Sequence, residues 1–214
     1  GDNDTNLNGT KLNTRYSGEY IIFGTGDNNL YRIVSHESEG LTKITSAIPL
    51  KENETFKTIT FGDSVYYSDT NTIGNFLNNE YLTNYVGENY IDMIEDSTTW
   101  YLGTVDNGAS YKLAKYKDTN MSEYATSINA KVGLLRLGEL MAGQFDRYEN
   151  NTSYWTLTPY DQSTVYLIDT INIANYISVS NISGVKPSLN LKSNVIITGG
   201  IGTKEQPFIL DIAP

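Results

Sequence analysis

Tyr20-Ile-Ile-Phe-Gly-Thr-Gly-Asp-Asn-Asn-Leu-Tyr-Arg-Ile-Val-Ser-His-Glu-Ser-Glu-Gly-Leu-Thr-Lys-Ile-Thr45 alternates apolar, β-prone runs with turn-forming clusters. Tyr20–Phe23, Leu30–Val34 and Leu41–Thr45 read as strands, because β-branched and aromatic residues favour a pleated, half-buried surface. Residues 24–29 and 36–40 carry the Gly, Asn, Asp and Ser that hairpin turns require. The stretch predicts an antiparallel meander, and the same grammar continues along the chain. Further strands are expected at Ser64–Tyr67, Thr99–Leu102, Tyr154–Leu157, Thr164–Ile168 and Asn194–Thr198.

Two stretches have helical spacing instead. After the cap-like Asp69-Thr-Asn-Thr72, Ile73, Phe76, Leu77, Tyr81 and Tyr85 recur on one helical face before Gly87. A second helix is expected from Leu135 to Gly143, weakened by Gly138. Residues 103–130 give no firm pattern and are expected to form long loops. No repeat or Pro/Ser-rich linker divides the chain, so residues 15–214 read as one α+β domain preceded by a polar linker over residues 1–14.

Among 214 residues there is no cysteine, which excludes disulfides, thiolate nucleophiles and Cys-based metal sites. A net charge of −10 disfavours nucleic acid, whose phosphates call for a positive surface. Anionic membrane surfaces are disfavoured for the same reason, so any membrane association is expected only through an N-terminal anchor preceding this sequence. The polar opening Gly1-Asp-Asn-Asp-Thr-Asn-Leu-Asn-Gly-Thr10 reads as the linker left after an export or anchoring segment.

Catalytic signatures are sparse. His36 is the one histidine, placed in an apparent turn beside Glu37 and Glu39, and no Gly-x-Ser-x-Gly elbow accompanies it. Glu88, Asp92, Glu95 and Asp96 supply the acids a glycoside hydrolase needs, but such spacing more often gives a solvated face. Asp161 and Asp169 lie among Asn residues that a loose calcium site would use, yet the EF-hand pattern is missing. Gly199-Gly-Ile-Gly-Thr-Lys204 lacks phosphate-loop spacing and reads as a terminal hairpin turn. No cofactor or metal is expected.

The 17 tyrosines are the strongest remaining hint, because a ring with a polar tip suits both sugar stacking and protein interfaces. Tyr154, Trp155, Tyr160, Tyr166 and Tyr176 crowd the C-terminal region, although Tyr is also simply a good strand residue. The candidate contact residues for a protein or glycan ligand are Trp155, Tyr160, Asp161, Gln162 and Tyr176, where aromatic and polar groups meet at loops and strand ends.

Four ordered motifs also carry a family resemblance: Lys131-Val-Gly-Leu-Leu135 with Glu139-Leu-Met-Ala-Gly143, Tyr154-Trp-Thr-Leu-Thr-Pro159, Gly184-Val-Lys-Pro-Ser-Leu-Asn-Leu-Lys192, and Ile197-Thr-Gly-Gly-Ile-Gly-Thr-Lys-Glu-Gln-Pro-Phe208. Together with Asn29-Leu-Tyr-Arg-Ile-Val34, they resemble a domain family of exported and pilin-like surface proteins of Gram-positive gut bacteria. Its members typically carry Gly-Val-Arg-Pro where this chain has Gly184-Val-Lys-Pro187. The family is similar to C-type-lectin-like folds of the formylglycine-generating and tropism-determinant groups. The resemblance implies a C-type-lectin-like α+β domain outside a Gram-positive cell, acting as a non-enzymatic, adhesin-like binding module. Cysteine-dependent formylglycine chemistry does not transfer, and the Glu-Pro-Asn and Gln-Pro-Asp motifs of calcium-dependent lectins are missing. Two alternatives stay open. One is a self-associating subunit of a pilus, spore coat or surface layer, with a Lys–Asn isopeptide-locked sandwich as a variant, and the other is a two-carboxylate glycoside hydrolase.

Overall fold

A computed structural model describes residues 6–102, 127–143, 152–171 and 174–214. The opening meander forms as expected from β1 (Tyr20–Ile22), β2 (Leu30–His36) and β3 (Thr42–Ser46). His36 therefore ends a strand instead of sitting in the turn, and its Nε2 meets the Arg15 carbonyl. A small ladder joins β4 (Lys51–Glu52) to β5 (Thr55–Phe56), and β6 (Ile59–Thr60) follows. Ser64–Tyr67 is not a strand, because its backbone bends while Val65 and Tyr67 drop into the core.

The expected helix after residue 72 is broken. α1 (Thr72–Asn78) is capped by the Asn71 side chain, which accepts from Gly74 N–H at 2.9 Å. A π-helical turn over Leu82–Val86 and α2 (Glu88–Ile91) follow, separated by Gly87 at φ +82°. β7 (Thr98–Tyr101) pairs with β8 (Ser127–Ala130), so the end of the expected loop is a strand, while residues 103–126 lie outside the described residues. Then come β9 (Val132–Leu134), α3 (Leu137–Gly143), β10 (Tyr154–Pro159), β11 (Thr164–Ile168) and β12 (Ala174–Ser178). β13 (Ile182–Ser183) returns to β6, β14 (Pro187–Leu191) enters the main sheet, and β15 (Val195–Gly199) pairs with β16 (Ile209–Ile212) around the expected terminal turn. The result is a mixed α+β chain whose named strand pairs are all antiparallel.

The main sheet has the order β1-β2-β3-β14-β9. Side-chain alternation puts Ile21, Tyr31, Ile33, Ile44, Leu189 and Val132 on one face, each at most 1% exposed. The other face carries Arg32, Lys43, Thr45, Gly133, Ser188 and Asn190, and all of these but the half-buried Arg32 are buried too. Trp100 lies so close over Gly133 that a Cβ there would come 2.5 Å from the indole. Its Nε1 donates to the Ala130 carbonyl at 3.0 Å, which satisfies the one polar atom of a buried ring.

A charged network closes this polar face. Lys43 Nζ reaches Glu139 Oε2 at 3.0 Å and Glu37 Oε1 at 3.2 Å. Glu139 Oε1 also accepts from Arg136 Nε at 3.3 Å and from the Arg136 backbone N–H at 3.0 Å. Burial alone would raise the Glu139 pKa, but Lys43 and Arg136 outweigh it and hold the carboxyl below its usual range. Burial likewise opposes the Lys43 charge, and the two carboxylates overcome that and raise its pKa.

The expected linker boundary at residue 14 also moves. Gly9 N–H donates to the Ile197 carbonyl at 2.7 Å, Ile197 N–H to the Thr10 carbonyl at 2.9 Å, and Leu12 is 1% exposed. Residues 7–14 thus lie along β15, because Leu7 and Leu12 give that polar segment two apolar anchors.

Candidate functional site

β10, β11 and β12 form a separate three-stranded antiparallel sheet. The β10–β11 turn is held by Asp161. Its Oδ1 accepts from the backbone N–H groups of Ser163 at 2.9 Å and Thr164 at 2.8 Å, and from the Thr164 hydroxyl at 2.7 Å. These bonds, led by the Thr164 hydroxyl, hold the Asp161 carboxyl below its usual pKa. An Asp carrying out this task is the standard reason for its preference in turns.

The turn folds Tyr160 back over the sheet. Tyr166 and Tyr176 are opposite one another in the β11–β12 register and leave on the same face. Tyr160 meets Tyr166 edge-on with centroids 5.3 Å apart and stacks on Tyr176 at 3.8 Å and 6°. The adjacent Tyr176 hydroxyl raises the Tyr160 pKa above the ordinary phenol value. Tyr166 rests inward on a small core cluster of Val34, Leu135, Leu137, Leu140, Tyr154 and Ile168. Burial so decreases outward along one row, and Tyr176 ends it at 45% exposed. Gln162 is exposed at the turn tip.

Four of the five residues singled out from the sequence therefore meet in one surface feature. Trp155 does not. It is 1% exposed, its ring meets Phe61 edge-on at 5.4 Å, and its Nε1 donates to the Ile59 carbonyl at 2.8 Å. It alternates onto the inner face of β10, where apolar area is worth about 25 cal/mol per Å2, so it is a core residue and not a contact residue. Tyr166 is the member of the row that the sequence reading left out of the site, although its alternation with buried Val165 and Leu167 carried the signal.

No family model, curated protein or solved structure matches this chain. The remaining sequence candidates are dispersed. Glu88, Asp92 and Asp96 are exposed, with Asp96 3.7 Å from Lys131 Nζ, and Asp169 accepts from Ile171 N–H at 3.0 Å. Among the described residues no group of three or more His, Asp or Glu side chains is placed to hold a metal ion, and no helix is long and apolar enough to cross a membrane.

The Gly184-Val-Lys-Pro187 motif has a local mechanical explanation. A Cβ on Gly184 would come 2.5 Å from the Ser153 carbonyl oxygen, so the close β10 contact needs glycine. Val185 is fully buried, Lys186 lies 4.8 Å from the Tyr154 ring centroid, and Pro187 opens β14. The motif maintains the sheet junction.

Proposed function

We propose that this chain is a non-enzymatic binding module that engages a protein or glycan through Tyr160, Tyr166 and Tyr176, with Gln162 at the rim. The observation carrying this reading is the stacked Tyr160–Tyr176 pair, left at the surface of a protein that buries Trp100, Trp155, Tyr31, Tyr67, Tyr81 and Phe61. Exposed rings beside polar groups suit sugar stacking and protein hot spots, where the hydroxyl fixes orientation while the ring supplies area. The sequence motifs and the antiparallel α+β architecture support a C-type-lectin-like domain at a Gram-positive cell surface.

The test is a glycan-array and matrix-protein binding screen of the wild-type chain, run with calcium and with chelator. Saturable binding that Tyr176→Ala and Tyr160→Ala both abolish, with thermal melting unchanged, is the expected result. Self-association abolished by the same variants would instead make the face an assembly contact of a surface layer or pilus. Turnover of a glycan would replace the binding module with a hydrolase.

A further inference from the structure

The polar face of the main sheet holds groups that ligand binding does not use. Lys43 and Asn190 are direct partners across β3 and β14. Their Cβ atoms are therefore about 4.5–5.5 Å apart, and both side chains leave the sheet on the same side. Both residues are buried, at 8% and 5% exposed. Asn190 Oδ1 is enclosed and accepts no hydrogen bond among the described residues, a costly condition for a carboxamide. Glu139 sits 3.0 Å from Lys43 Nζ, and the Trp100 ring centroid is 5.3 Å from the same nitrogen.

An ammonium and a carboxamide with an unengaged carbonyl thus stand on two adjacent strands, under a carboxylate from α3 and an aromatic cover from β7. We propose that Lys43 and Asn190 become joined by an intramolecular amide between Lys43 Nζ and Asn190 Cγ, with Glu139 carrying the protons. Glu139 first takes a proton from the Lys43 ammonium and frees the nitrogen lone pair. Nζ adds to Cγ, forming the new C–N bond and placing the negative charge on Oδ1. Glu139 passes its proton to Nδ2 and collects another from Nζ as the Cγ–Nδ2 bond breaks. The nitrogen leaves as ammonium, the Glu139 carboxylate is restored, and no oxidant or reductant is needed. The ion pair that holds Lys43 protonated makes the first transfer unfavourable, so the bond forms slowly after folding and requires Nζ to swing from Glu139 toward β14.

Intact-mass spectrometry of the wild-type chain, fresh and after long incubation at neutral pH, tests this directly. A growing species lighter by one ammonia is expected, with a branched peptide joining the Lys43 and Asn190 segments after proteolysis. Lys43→Arg and Asn190→Ala should keep their sequence masses, and Asn190→Asp should lose water in place of ammonia. Glu139→Gln keeps both reacting groups and should slow the change by about 100-fold or more, the usual weight of a positioned acid–base group. A wild-type mass that never departs from the sequence value overturns the proposal. So does an ammonia loss that survives in Lys43→Arg, which marks succinimide formation at an asparagine instead. The branched-peptide search needs no variant, so poor folding of a mutant leaves the test decisive. The tyrosine face is separate, and Tyr176→Ala should leave the mass change intact.

Discussion

The five-stranded sheet and the β10–β12 sheet draw on the same residue types and dispose of them oppositely. In the first, both faces are buried at the centre, including one lined by Lys43, Thr45, Ser188 and Asn190. Polar groups there find partners inside the protein, as when Ser188 donates to the Ile44 carbonyl at 2.8 Å and Thr45 to the Pro187 carbonyl at 3.0 Å, and Asn190 Oδ1 is an exception. In the second, Val165 and Leu167 point inward, while the opposite face runs from half-buried Tyr166 and Tyr160 out to exposed Tyr176. Polarity along a strand therefore does not by itself report which face meets water. What covers the face decides it, and here that is Trp100 with Glu139 and Arg136 on one sheet, whereas Tyr176 carries only the Tyr160 ring and stays 45% exposed.

The contrast can be broken most forcefully at Trp155, the ring that sequence assigned to the surface and structure assigns to the core. Trp155→Ala should cost about 3–5 kcal/mol, read as a lowered denaturant midpoint at constant slope. A change below the scatter of surface variants would put the indole back on the outside. Gly133→Ala comes next. Its new methyl presses on the Trp100 indole, so a loss of about 1–3 kcal/mol is expected, relieved in the double variant with Trp100→Phe if the smaller ring makes room.

On the exposed sheet the effects should be local. Asp161 has a lowered pKa, so its contribution to the turn is present above the ordinary Asp value of about 3.9 and is lost as pH falls through the folded value. Amide exchange at Ser163 and Thr164 should quicken in that acid window relative to β11, and Asp161→Ala should show the quickened rate at neutral pH as well. A pH-independent ratio would mean the carboxylate does not hold the turn. Smallest of all in stability is Tyr176→Ala, which should shift the melting temperature no more than an average surface change. An unfolding effect as large as that of Trp155→Ala would erase the distinction between the two sheets.

Much of the architecture was legible because local propensity and burial agree. β11 has the bounds its Thr-Val-Tyr-Leu-Ile run predicts, and α3 begins two residues into its apolar pattern. The sequence does not mark β14 as a strand, since Pro187 at its start and Ser188 and Asn190 within it have turn-like composition. Only the cover on the polar face, supplied from far along the chain, makes those residues strand residues. Spacing alone carries the helix after residue 72 too far, because Tyr81 and Tyr85 keep helical periodicity into the π turn. At the site, Tyr160, Asp161, Gln162 and Tyr176 could be collected from sequence as a crowd of rings and turn formers. Trp155 could not be excluded from it, because strand alternation has two phases and the bulge between Trp155 and Pro159 shifts one into the other. The pairing of Lys43 with Asn190 had no local signal, being a matter of register between distant segments.

That register has a bearing on how the chain is made. β3 can pair with β2 as soon as the meander leaves the ribosome, but its other edge belongs to β14, which is synthesised much later. Until Pro187–Leu191 emerges, Thr42–Ser46 offers a row of unused backbone donors and acceptors to any neighbouring strand, including the same segment of another nascent copy. The seam at the centre of the finished sheet is therefore an open edge while the chain is being made.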